Sequence, residues 1–235
     1  MDENKIKNIY TCGCSFMSVD TQLHNTDISF LDLYAQEKKF NHISLARVGA
    51  TNYVIRLQID RAIKDRADYV VVGATSSDRM DVIITDDDFG IPLTLDNISY
   101  HKYNCISETY VDNKRVVGIS NTINNLLEQE PLLPSTKQAI KQYTAELHNY
   151  SLQQHKDSLI IETGLRALER ENIPFIFIPG PLFHIDWSWL GDRLWRASQP
   201  WDMPDGIGQR TLNHNPQSAH DKFFKILLDL TPEWS

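Results

Sequence analysis

Asp68-Tyr69-Val70-Val71-Val72-Gly73-Ala74-Thr75 is the stretch that decides the fold. Its apolar residues run on without polar alternation. A strand with one wet face alternates; a continuous β-branched run belongs to a strand covered on both faces, as in a parallel sheet between helices. Upstream, Ile55, Ile59, Ala62 and Ile63 recur at helical spacing, after a Gly49-Ala50-Thr51-Asn52 lead-in. Before them, Phe40 to Leu45 reads as a short strand. Asp27 to Lys39, with Phe30, Leu31, Leu33 and Tyr34, reads as a helix, and Ile6 to Cys12 as the first strand.

Downstream the alternation breaks. Asp86-Asp87-Asp88, Gly90 and Pro92 are turn signals, so residues 80–130 are expected to form an irregular insertion with room for a hairpin. Pro134-Ser135-Thr136 predicts a helix start with Ser135 as N-cap. The helical pattern continues to about Glu171, with a break near Asn149 to Ser151. Pro174 to Ile178 is a further strand, closed by Pro179-Gly180-Pro181. Residues 182–213 read as an aromatic loop. The last helix is expected to start at Asn215-Pro216 and to bury Phe223, Phe224, Leu227 and Leu228. Strands alternating with helices predict one α/β domain over residues 1–235. The expected form is a three-layer α/β/α, flavodoxin-like fold with four or five parallel strands.

The chain has 235 residues and a formal net charge of −8. It carries no basic run, which argues against a nucleic-acid partner, because phosphate binding needs clustered cations. No apolar run approaches the roughly 20 residues of a membrane helix. The N-terminus has no apolar signal core, and Cys12, Cys14 and Cys105 make no disulfide framework, so a reducing, cytoplasmic setting in the producing cell is expected. Cys12 and Cys14 lack the additional ligands of a metal site and read as small buried residues.

Parallel sheets put their chemistry at the carboxyl ends of the strands. Ser15 follows the first strand, Gly49 the second, Thr75 and Ser76 the third, and His214 precedes the last helix. A serine needs a base to take its proton, and donors aimed at the oxyanion that acyl transfer develops. These positions supply the parts. By residue type alone, Ser15 could also be a helix N-cap, and His220 is a rival base. Met17 stands where an α/β-hydrolase elbow needs its second glycine.

Gly13-Cys14-Ser15-Phe16 resembles the first block of the SGNH (GDSL-like) hydrolases, in which the nucleophilic serine follows strand one. Gly49-Ala50-Thr51-Asn52 resembles their second block, Val72 to Ser76 falls at the third, and His214-Asn215-Pro216 resembles the last. The likeness is strongest to a divergent, often virus-encoded branch with Gly-Cys-Ser-Phe, Gly-x-x-Asn and a Thr-Ser-x-x-Arg run such as Thr75 to Arg79. The resemblance implies Ser15 as nucleophile and His214 as base. It implies an oxyanion hole from Ser15 and Gly49 with Thr75 or Asn52. Thr75 replaces the family's asparagine and Thr211 its aspartate; Asp205 or Asp202 on the same loop, or a backbone carbonyl, would then orient the histidine.

The expected activity is a serine esterase removing a small acyl group, such as acetyl, from a small molecule or carbohydrate, with neither metal nor organic cofactor. Phe16, Ser76, Arg79, Trp187 and Trp189 are the expected substrate contacts, with Trp187, Trp189, Trp195 and Trp201 equally able to pack the loop or an oligomer interface. Arg79 and Asp81 could instead form a local ion pair. The other readings are a binding or structural protein on the same fold, for example virion-associated, and an O-acyltransferase.

Overall fold

The computed structural model describes residues 6–14, 17, 28–47, 50–77, 79–83, 106–111, 114–120, 133–182, 185–195 and 217–234. Four strands, β1 (Asn8–Cys12), β2 (Asn41–Ser44), β3 (Tyr69–Gly73) and a later strand Phe175–Ile178, pair in parallel. Their order in the sheet is β2, β1, β3, then Phe175–Ile178. Every residue of β3 is buried, as its unbroken valine run requires. Burying one valine side chain fully contributes on the order of 1.5–3 kcal/mol, so the three together anchor the centre of the sheet.

Helices cover both faces. Helix α1 (Phe30–Lys38) lies on one, and α2 (Asn52–Lys64) on the other. The opposite faces fit the strand order, because the chain moves outward from β1 to β2 and then back across β1 to β3, and right-handed crossovers, the general rule, put these two helices on opposite sides. Helices α3 (Pro134–Glu146) and α4 (Tyr150–Arg170) follow, and α5 (Gln217–Leu230) closes the described chain. Cys12, Val70, Val72, Phe177, Ile55, Ile59, Ile161 and Leu165 share the core between the sheet and α2 with α4. Ile9, Val71, Ile176, Leu31, Tyr34, Phe223 and Leu227 share the core between the sheet and α1 with α5. The result is an α/β architecture compatible with a flavodoxin-like fold.

The predicted break between two helices is real. Leu147 and His148 donate back to the Tyr143 carbonyl to end α3, and the Asn149 side chain caps α4 at Leu152. The predicted Ser135 cap is corrected: Pro134 is itself the first helical residue and Leu133 the cap, without a side-chain bond. Proline suits that position because its missing N–H would be unsatisfied there anyway.

The insertion carries the expected hairpin and a further strand beside it. It holds a three-stranded antiparallel sheet, β4 (Arg79–Ile83), β5 (Ile106–Val111) and β6 (Lys114–Ser120), in the order β4, β6, β5. The parallel strand Phe175–Ile178 is therefore β7. The stretch 182–213 is not loop throughout. Two short 3-10 turns, Gly180–Leu182 and Ser188–Arg193, follow β7, and Leu194 bridges its outer side at Phe177.

Candidate functional site

The strand order makes a topological switch between β1 and β3, where the connections depart to opposite sides. Ligands of open α/β sheets bind in the crevice outside that point. Gly13 ends one wall and Gly73 the other. A Cβ on either glycine would run into the Met17 side chain, which lies across both strand ends. Glycine is thus required here by close approach, and Met17 has a packing role rather than a vacant elbow position. Gln58 of α2 grips the Gly13 backbone from behind, accepting from its N–H at 2.6 Å and donating to its carbonyl at 3.3 Å. The Met17 N–H donates to the Cys14 carbonyl at 2.9 Å, so both described flanks of the candidate nucleophile are fixed. Burial pushes the Cys12 thiol up, out of the reactive range, and Cys14 is buried too.

The loops leaving β2 and β3 are tied to each other. Asn52, in the first turn of α2, is buried. Its Oδ1 accepts the Thr75 N–H at 2.9 Å and its Nδ2 donates to the Thr75 carbonyl at 2.9 Å. The same Nδ2 donates to Asp157 Oδ2 of α4 at 3.0 Å. Both amide hydrogens are committed, so in this geometry Asn52 has none to offer an oxyanion. The Thr75 hydroxyl, in contrast, makes no hydrogen bond among the described residues. Arg79 adds a second tie, donating from Nη1 to the Ala50 carbonyl at 2.7 Å. That contact holds the guanidinium at the β2 exit. Ser76, beside Thr75, is half-buried.

Asp157 is buried, and loss of water raises its pKa above the usual carboxylate range. The Ser77 hydroxyl, the Asn52 and Gln153 amides and nearby His148 pull the other way. Gln153 Nε2 donates to Asp157 Oδ1 at 2.8 Å, while the buried Ser77 hydroxyl lies beside the carboxyl without meeting hydrogen-bond geometry.

His220 sits in α5 and is buried against Phe30 and Phe223. Its Nδ1 accepts the Phe30 N–H at 3.3 Å, the first amide of α1. The neutral ring then carries its proton on Nε2 and has no lone pair there to receive one from a serine. Burial also lowers its pKa, against the opposing pull of Asp221 and Asp32. Ser29, with Asp32, forms the capping box of α1.

The described tryptophans pack the fold. Trp187 is buried, donates its indole N–H to the Leu182 carbonyl at 3.0 Å and stands edge-on to Phe177. Trp189 has the Arg166 guanidinium over its ring at 3.5 Å. The expected stacking of substrate on Trp187 is corrected accordingly, because that ring is core, while Trp189 is half-buried with a cation on one face. Trp195 is buried beside Phe30. Ser15, Phe16, Gly49, Asp205 and His214 lie outside the described residues, as do Cys105, Trp201, Asp202 and Thr211.

One polar chain was not anticipated. Thr11 Oγ1 lies 2.7 Å from His42 Nε2, and His42 Nδ1 lies 2.6 Å from Asp32 Oδ1. Asp32 also accepts from the Ser29 hydroxyl at 2.7 Å. Its pKa is lowered to about 2: burial acts to raise it, but the bonds from His42 and Ser29 outweigh that.

No protein-family model matches the chain, and no curated protein does. Among the described residues, no group of three or more His, Cys, Asp and Glu could hold a metal ion, and no helix is long and apolar enough to cross a membrane.

Proposed function

We propose that the protein is a serine esterase of the SGNH type, hydrolysing a small acyl ester, such as an O-acetyl group on a carbohydrate, through Ser15 and His214. The observation that carries the reading is the convergence of helix starts on one sheet edge. Helix α1 starts on the connection leaving β1, and α2 on the connection leaving β2. His220 of α5 meets Phe30 of α1, and Thr231, just past the end of α5, bonds Tyr34 of α1 at 2.6 Å, so these two helices run parallel. The start of α5 therefore shares the edge with the β1 exit. In sequence, His214 stands three residues before α5 and Ser15 three residues after β1.

On this reading His214 deprotonates Ser15, Ser15 attacks the ester carbonyl, and the alcohol leaves with the proton returned by His214. Water, activated by the same imidazole, then releases the acid. The N–H groups of Ser15 and Gly49 and the Thr75 hydroxyl hold the oxyanion. Asp205 orients the imidazole. Phe16 and Ser76 line the acyl side.

The test is labelling by a fluorophosphonate probe and turnover of a short-chain aryl ester. Labelling is expected in the wild type and absent from Ser15→Ala and His214→Ala. A folded wild type that neither labels nor turns over between about pH 6 and 9 sinks the proposal, since a Ser–His centre works in that range. The full commitment of the Asn52 amide favours a second reading in that event: a binding or virion-associated structural protein that keeps the fold. Transfer of the acyl group to a sugar hydroxyl in preference to water would identify an O-acyltransferase instead.

A further inference from the structure

We propose that Asp157 is a positioning residue for the oxyanion hole, acting on Thr75 through the side chain of Asn52. The inference rests on the esterase reading and adds a residue on α4, far in sequence from every catalytic block. Asn52 treats Thr75 as a neighbouring strand would, matching its N–H and its carbonyl together. An amide can do this only one way round, with Nδ2 toward the carbonyl and Oδ1 toward the N–H. Asp157 reinforces that orientation. An ionised carboxylate only accepts, so it demands the Nδ2 side of Asn52 and would repel Oδ1. Gln153, one turn back on α4, holds the other carboxylate oxygen and stops the group from turning away.

The chain of orientation thus runs from Gln153 to Asp157, to Asn52, to the Thr75 backbone. It ends at a threonine whose hydroxyl has no partner among the described residues and which stands two residues past the end of β3. Threonine has a shorter reach than asparagine, so its backbone must be placed more tightly for the hydroxyl to meet an oxyanion. A buried carboxylate is costly to keep. A role in holding the β3 exit gives that cost a function.

The test compares Asp157→Ala, which removes the acceptor, with Asp157→Asn, which keeps one. Asp157→Ala is expected to lower kcat for the aryl ester about 10- to 100-fold with KM held within about twofold, the pattern of a misplaced transition-state donor. Asp157→Asn is expected to recover most of that loss. Amide hydrogen exchange supplies a readout free of catalysis: Thr75 is expected to be strongly protected in the wild type and to lose protection in Asp157→Ala. Should Asp157→Ala not fold, Gln153→Ala carries the same comparison, with a fall in kcat of about threefold. An active wild type whose kcat and Thr75 protection survive Asp157→Ala, or Gln153→Ala in its place, overturns this role and leaves the esterase reading standing. A wild type without labelling or turnover overturns both.

Discussion

Two carboxylate-centred chains sit on opposite faces of one sheet and behave in opposite ways. Asp32–His42–Thr11 has the distances of a catalytic triad, 2.6 and 2.7 Å, yet its hydroxyl is buried inside the sheet. Its histidine pairs in register with Ile9, at the start of β1, away from the strand ends where ligands bind. Asp157–Asn52–Thr75 contains no base, yet it ends at the switch-point crevice. Triad spacing alone therefore does not make a site; the Thr11 hydroxyl is closed to a ligand, whereas the crevice is where a ligand of such a sheet would bind. The two acids also titrate apart. Asp32 keeps about a third of its side chain in solvent and gains bonds from Ser29 and His42 that favour its charge. Asp157 is stripped of water, and that loss outweighs its amide partners.

The largest expected effect separates the two chains directly. Ser15→Ala should lower ester turnover by about four orders of magnitude or more, whereas Thr11→Val should leave probe labelling at Ser15 within about twofold. Labelling that is lost in Thr11→Val while the melting curve is unchanged would break the distinction. Next in size is Thr75→Val, which removes the hydroxyl but keeps the shape. We expect a loss of kcat of about 100- to 1,000-fold, or about 2.7–4 kcal/mol, with KM little changed. Turnover equal to wild type would remove Thr75 from the oxyanion hole.

Smaller effects test the electrostatic contrast. The lowered Asp32 pKa means that its contribution to stability is present above the unfolded carboxylate value near 4 and is lost as pH falls toward about 2. Asp32→Asn should cost about 1–2 kcal/mol at pH 7 after allowance for solvent screening, and the cost should shrink in acid. Urea midpoints measured from pH 7 down to pH 3 check both statements. Asp157 has the opposite sign. Its raised pKa favours the fold below the unfolded value, and that advantage is lost as pH rises through the folded one. Asp157→Asn should thus match or exceed wild-type stability at pH 7, by less than about 1 kcal/mol, and lose that margin in acid. A large destabilisation at pH 7 would show that the charge itself holds α4 against α2.

Much of the frame was legible because the residues left little choice. Val70 to Val72 can only be a doubly covered strand, and Asn149 caps the helix that follows the break. A hairpin within 80–130 is readable from the sequence, and β5 with β6 forms it, Val111 pairing with Lys114 across Asp112-Asn113; its exact place and the added strand β4 are not readable. Turn-rich sequence before the hairpin hides them. Asp157 left a readable trace too. It falls on the stripe of α4 that also carries Ile161, Leu165 and Leu168, where a carboxylate needs a buried partner. Gln58 sits likewise among Val54, Ile55, Ile59 and Ala62. The sequence showed that such partners must exist, but not which.

By itself, then, the sequence determined the order of the parallel strands and their covering helices, the buried faces and the positions where serine, glycine and histidine follow or precede them. These are local matters of periodicity, capping and burial. Only the tertiary structure decided which polar groups meet: that Asn52 closes on Thr75 and not on a ligand, that Trp187 is core, and that His42 joins Thr11 to Asp32. Hydrogen bonds between residues 23, 31 or 105 positions apart depend on how sheet and helices pack. No local pattern encodes that packing, and the competition for each buried donor and acceptor is settled there.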